Sequence, residues 1–236
     1  QKYLPLIWGL TIISLLVAVF YFINYLSEPS FSSSLTEGDP SQQIDTTLKP
    51  VFFGKYRYQN SNPSHQTSFR NNPTSSAAIH FANQYAGLSF FTNPTQSFAT
   101  ANTKTKPITD KNIIVYPDLF PDTDLRYTIT PTRLLEEFIV HNKNTALNMT
   151  EISQILDRHN IDSYQEVGGT IELYKDQQLV ATIPRPVMYE ANNQANISYD
   201  LSYSIEEIDK NTLKITKVIN QEGLDWLNDS SRSYPI

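Results

Sequence analysis

The chain has 236 residues, 18 Lys and Arg against 24 Asp and Glu, and a net charge of −6. It has no cysteine, which excludes disulfides, thiolate metal sites and a Cys nucleophile. A negative balance without a basic cluster argues against nucleic acid and against an anionic membrane surface as partners.

Residues 3–27 read YLPLIWGLTIISLLVAVFYFINYLS and contain no charge. About 20 apolar residues at roughly 1.5 Å each span a bilayer core, and a run with no polar face has no place on a soluble surface. A cleavable signal peptide would have a shorter apolar core and a small-residue cleavage site, and a pilin-like stem would have an acidic residue near its start. The reading is therefore an uncleaved anchor, with the lipid bilayer as partner through residues 3–26. Lys2 precedes the span and the next cation is Lys49. The N-terminus is accordingly expected inside and residues 28–236 outside the cell membrane. Residues 28–49 are rich in Ser, Thr, Pro and acid and read as a flexible stalk.

From residue 50 onward, seven glycines, fourteen prolines and fourteen tyrosines in the whole chain favour strands joined by polar turns. Val51-Phe52-Phe53 is the first strand-like text, and residues 59–76 read as polar connection. Residues 78–82 and 86–91 form a hairpin pattern around Asn83-Gln84-Tyr85. Residues 113–116 read as a strand that Pro117 stops. Residues 125–130 alternate, putting Leu125, Tyr127 and Ile129 on one face. Residues 134–140 return as the partner strand. Thr150 to Leu156 places Ile152, Ile155 and Leu156 at helical spacing behind a capping Asn148 or Thr150, which predicts a helix. Strands follow at 170–174 and 178–183 across Asp176-Gln177, at 197–205, and at 213–219 after an Asp209-Lys210-Asn211 turn. The expected fold is mainly β: a β-sandwich-like extracellular module (50–236) with one short helix, preceded by a single N-terminal transmembrane helix (1–27) and the stalk (28–49).

Residues 115–127 with 136–140, then 169–173 with 183–191, then 199–207, and finally Trp226-Leu227-Asn228 with residues 232–236, follow one another in a fixed order. This text resembles the N-terminal β-rich module of large bacterial surface proteins of the Rhs and wall-associated type, including those that carry DNRLRE domains. Residues 141–168 depart from it by looking helical. The resemblance implies a module of a longer surface protein without catalysis of its own. Its partners would be further modules of the same polypeptide or other surface proteins.

Asp118, Asp122 and Asp124 fall within seven residues beside Pro117 and Pro121. Clustered hard oxygens suit calcium, while Asp and Pro are also plain turn formers. These three are the candidate metal residues, calcium is the one cofactor considered, and no catalytic residue is assigned. Glu136-Glu137 and Glu206-Glu207 are adjacent, so each doublet splits across a strand and neither makes a hydrolase pair. His65, His80, His141 and His159 show no metal-binding or triad spacing. Exposed tyrosines would suit a glycan. The expected function is a non-enzymatic display module supporting adhesion or cell contact, with glycan binding as the alternative and a surface hydrolase third.

Overall fold

The computed structural model describes residues 44–158 and 161–236. In chain order the strands are β1 (Lys49–Pro50), β2 (Tyr58–Ser61), β3 (Gln66–Phe69), β4 (Ile79–Ala82), β5 (Gly87–Thr92), β6 (Ile108–Asp110), β7 (Ile113–Phe120), β8 (Thr123–Ile129) and β9 (Leu134–Val140). A short helix α1 (Lys143–Asn148) leads into β10 (Glu151–Asp157), β11 (Ser163–Val167), β12 (Thr170–Lys175) and β13 (Gln178–Ile183). The chain closes with β14 (Met188–Glu190), β15 (Asn193–Ser198), β16 (Leu201–Asp209), β17 (Thr212–Ile219) and helix α2 (Gln221–Asn228). The protein is mainly β.

An eight-stranded sheet in the order β1-β2-β3-β4-β5-β10-β17-β16 forms the backbone of the fold. A four-stranded sheet, β6-β7-β8-β9, and a three-stranded sheet, β11-β12-β13, stand with it, and β14-β15 is a separate hairpin. Two cores follow from these partners. In the first, Leu125, Tyr127 and Ile129 of β8 are fully buried with Phe69 and Ile79 of the large sheet. The Tyr127 ring lies 5.6 Å from Phe69 and 6.1 Å from Phe90. In the second, Ile171 and Leu173 of β12 pack with Leu88, Leu156, Leu213 and Ile215. Ile152 belongs to the first core and Leu156 to the second. Four residues apart on β10, they share one strand face, so that strand ties the two cores together.

Several expected elements are confirmed. The 79–82 and 87–92 hairpin, the β8-β9 pair and the β16-β17 pair form with the expected faces. Asp176 and Gln177 both take positive φ, 48° and 65°, as a two-residue hairpin turn requires.

Others are corrected. Residues 150–156 are not a helix but the strand β10, paired on both sides by β5 and β17. Apolar side chains needed in two cores, plus a buried Ser153 on the opposite face, produced a spacing that mimics a helix. The helix lies just upstream, where Asn142 Oδ1 accepts from the Thr145 N–H at 2.9 Å. The described part of residues 141–168 thus holds one short helix and two strands, and there are two helices rather than one among the described residues. Val51-Phe52-Phe53 is no strand but the turn after β1, while the polar stretch 59–76 holds β2 and β3. Pro117 does not stop β7: the strand continues past it through a register shift between Tyr116 and Phe120. The run 197–205 is broken between β15 and β16.

The run read as a membrane anchor lies outside the described residues, as does most of the stalk. Among the described residues no helix is long and apolar enough to cross a membrane, which says nothing of strands. Leu48, read as the end of the stalk, is buried and donates its N–H to Lys111 O at 2.7 Å.

Candidate functional site

The acidic cluster singled out in the sequence sits at the β7-β8 corner and the start of α1. Asp118 and Asp122 occupy the left-handed region with φ of 48° and 51°. Asp124 sits in β8 and spends both carboxylate oxygens: Oδ1 accepts from the Asp118 N–H at 2.8 Å, and Oδ2 pairs with His141 Nε2 at 2.9 Å. Asp122 Oδ2 accepts from Thr145 Oγ1 at 3.3 Å, and its carbonyl accepts from the His141 N–H at 2.9 Å. The Asp122 and Asp124 carboxylates are therefore tied into the corner, and Asp118 joins them through its backbone N–H. Among the described residues no group of three or more His, Cys, Asp or Glu side chains could hold a metal ion.

This corner does bring a titratable ring to the surface. His141 is 42% exposed and its partner Asp124 is 20% exposed. Facing a carboxylate, Nε2–H donates and Nδ1 is left as an acceptor, an arrangement in which the carboxylate orients the imidazole. Of the other described histidines, His80 Nδ1 meets Ser89 Oγ at 3.0 Å and is buried. His65 is buried against the Phe81 ring at 4.9 Å, with neither ring nitrogen partnered. Burial pushes the His65 ring down to about 4. Only residue spacing was visible in the sequence; the 17-residue separation of Asp124 and His141 hid their pairing.

Glu136 and Glu137 sit on opposite faces of β9, as alternation requires, and both are largely covered. Glu136 faces the large sheet, where it accepts from Tyr127 Oη at 2.9 Å and pairs with Lys217 and Gln154. Glu137 is held by the two-pronged Arg126 guanidinium at 2.8 Å on each oxygen and by the Tyr189 hydroxyl. Burial opposes ionisation of Glu137, yet the Arg126 and Tyr189 hydrogen bonds outweigh it and hold the carboxyl below its usual range. Both carboxylates tie elements together, with no second carboxylate opposite either one in the contacts they make. Of the other doublet, Glu206 pairs with Lys214 at 3.3 Å and Glu207 with Arg158 at 3.2 Å.

Charge is unevenly distributed along the fold. Residues 46–117 carry seven Lys and Arg and one acid, Asp110, whereas residues 118–236 carry ten against nineteen acids. The first segment is net positive inside a chain that is net negative. Whole-chain charge averages over this division and hides the positive stretch.

Three curated proteins match over 137 residues, which is 54% of this chain and 5% of each relative's own length. They are "tRNA nuclease WapA" of Bacillus subtilis at 28% identity, "tRNA3(Ser)-specific nuclease WapA" of Bacillus spizizenii at 28%, and "tRNA(Glu)-specific nuclease WapA" of Bacillus subtilis subsp. natto at 29%. No family model matches the chain, and no solved structure matches it. These findings correct four expectations. The resemblance to Rhs-type and DNRLRE-bearing surface proteins gives way to one with WapA nucleases. The display and adhesion role, the absence of enzymatic activity and the exclusion of nucleic acid all stand against relatives named for cleaving tRNA.

Proposed function

We propose that this chain is a segment of a tRNA-cleaving nuclease of the WapA kind and that its own part in that activity is played on RNA. The observation that carries the reading is the match to three relatives whose names all specify tRNA cleavage. The net positive stretch 46–117 supports it, since neutralising phosphates supplies most of the sequence-independent affinity for nucleic acid. We further read the folded body as β-sandwich-like, with the two small sheets packed on the large one through the two cores.

The direct test incubates the full-length protein with total tRNA and resolves the products on a denaturing gel. Discrete tRNA fragments are expected, and tRNA that stays intact overturns the proposal. The 236-residue chain assayed alongside locates the chemistry. If it cleaves by itself, His141→Ala should slow it by about a hundredfold or more, the usual worth of a general acid or base. Cleavage by the longer protein alone places this segment on the binding side.

A further inference from the structure

The segment joining β1 to β2, residues 51–57, presents two bare aromatic rings. Phe52 is 81% and Phe53 85% exposed, the two most exposed large hydrophobic side chains among the described residues. The loop that carries them is held, not loose. The Val51 N–H donates to Arg57 O at 2.7 Å, the Arg57 guanidinium reaches Phe52 O at 3.3 Å, and Gly54 turns the backbone at φ +94°. Only glycine takes that φ without strain. The rings are therefore displayed by design of the backbone rather than left over from a core.

The loop itself carries Lys55 and Arg57, and further cations lie on the elements beside it. Lys55 lies 5.2 Å from the Tyr56 ring centroid and Arg70 5.8 Å from the same ring. Lys49 flanks the loop on β1, and the Leu48 hydrogen bond brings the Lys111 turn beside it. Among the described residues two acids are near by: Asp45 pairs with Lys49 at 3.1 Å, and Asp110 precedes Lys111 in the chain. The balance remains positive. Exposed rings with Lys and Arg at their sides are what unpaired nucleic acid needs. Bases stack on the rings whatever their identity, while the cations follow the phosphates. Arginine adds a planar fork that suits phosphate.

We infer that the 51–57 loop is a binding site for an unpaired stretch of RNA, with Phe52 and Phe53 stacking on bases and Lys55 and Arg57 meeting the backbone phosphates. The inference rests on the tRNA reading above for its choice of RNA over a lipid surface. An anionic membrane would use the same two features, and the test separates the two.

The 236-residue chain is titrated into a fluorescein-labelled twelve-nucleotide oligouridylate and followed by anisotropy. Wild type is expected to bind. Phe52→Ser with Phe53→Ser should weaken binding by about tenfold or more per ring. Lys55→Glu with Arg57→Glu should weaken it and flatten its salt dependence, since fewer counterions are released. The Phe52 and Phe53 rings point to solvent, so the Phe variant should melt with the wild type. The charge variant gives up the Arg57 hydrogen bond to Phe52 O and the Lys55 contact with Tyr56, and circular dichroism with a melting curve checks that it keeps the fold. Absence of binding by wild type, or equal binding by the Phe variant, overturns the site. Sedimentation with phosphatidylserine vesicles through Phe52 and Phe53, with no RNA binding, also overturns it and makes the loop a membrane contact. The two readings fail separately. Ring-dependent RNA binding without tRNA cleavage by the full-length protein keeps the site and removes the nuclease, and cleavage with ring-independent binding does the reverse.

Discussion

Two stretches of this molecule solve the same problem in different ways. β8 buries its side chains in strict alternation: it hides Thr123, Leu125, Tyr127 and Ile129, and the residues between them are only half-buried. In β2 to β4 the interior positions are largely polar. Asn60, His65, Thr67, Ser68 and His80 are all buried there, and Asn60 Nδ2 reaches the carbonyls of Asp45 and Thr47 at 3.1 and 3.0 Å. The same early region is also the positively charged one. Its strands are held by ladder pairing, by the side-chain hydrogen bonds of Asn60 and His80 and by Phe69 and Ile79 in the first core, whereas the later ones draw on wider apolar burial. The contrast teaches that a boundary in composition need not be a boundary in fold, because β5 and β10 pair directly across it.

The strongest way to break this comparison is to damage the apolar side and watch the polar one. Leu125 is fully buried on β8, opposite Tyr116 on one side and Phe138 on the other. Leu125→Ala should cost about 4 kcal/mol, the transfer of a leucine side chain plus the cavity it leaves. If the two regions are one cooperative unit, hydrogen exchange in β3 and β4 will accelerate with that in β8. Protection that persists in β3 and β4 while β8 opens would show that the early strands stand alone.

A smaller effect comes from the polar side, through pH. His65 titrates at about 4 in the fold, below its ordinary 6.5, because burial disfavours the charged ring. Between those values the unfolded chain takes the proton and the folded one does not. Stability is therefore full above about pH 6.5 and declines as pH falls towards 4, by on the order of 2–3 kcal/mol in all. His65→Leu should remove this part of the decline, measured as the difference in urea midpoint between pH 7 and pH 4.5. Equal slopes in the two proteins would mean the ring is not the group responsible.

What could be read beforehand divides along the same line. The β8-β9 and β16-β17 hairpins were legible because their buried faces are apolar and their turns carry Pro131 in the first and Asp209-Lys210-Asn211 in the second. β2 and β3 were not, because Tyr-Gln-Asn-Ser and Gln-Thr-Ser-Phe look like connection until their neighbours supply hydrogen-bond partners. β10 misled because a strand serving two cores carries apolar residues at 152, 155 and 156. The functional side was hidden for a related reason. The His141-Asp124 pair depends on the β8-β9 register, Thr123 opposite Val140, and the display of Phe52 and Phe53 depends on a turn that sequence text rendered as a strand.

The finest test of the polar interior is a substitution that removes one atom's chemistry and keeps the shape. Thr67 on β3 is fully buried between Asn60 of β2 and Phe81 of β4, and its hydroxyl has no hydrogen-bond partner. An unpaired buried hydroxyl costs about 1 kcal/mol or more, and valine has nearly the same outline and a strong preference for strands. Thr67→Val should therefore raise stability by about 1 kcal/mol, or some 2–4 °C in melting temperature for a domain of this size. A loss of similar size would mean that the hydroxyl is satisfied by an ordered water. In that case the early strands would be a fully bonded polar network, and the polar positions between β2 and β4 would be as tightly specified as the leucines and tyrosines of β8.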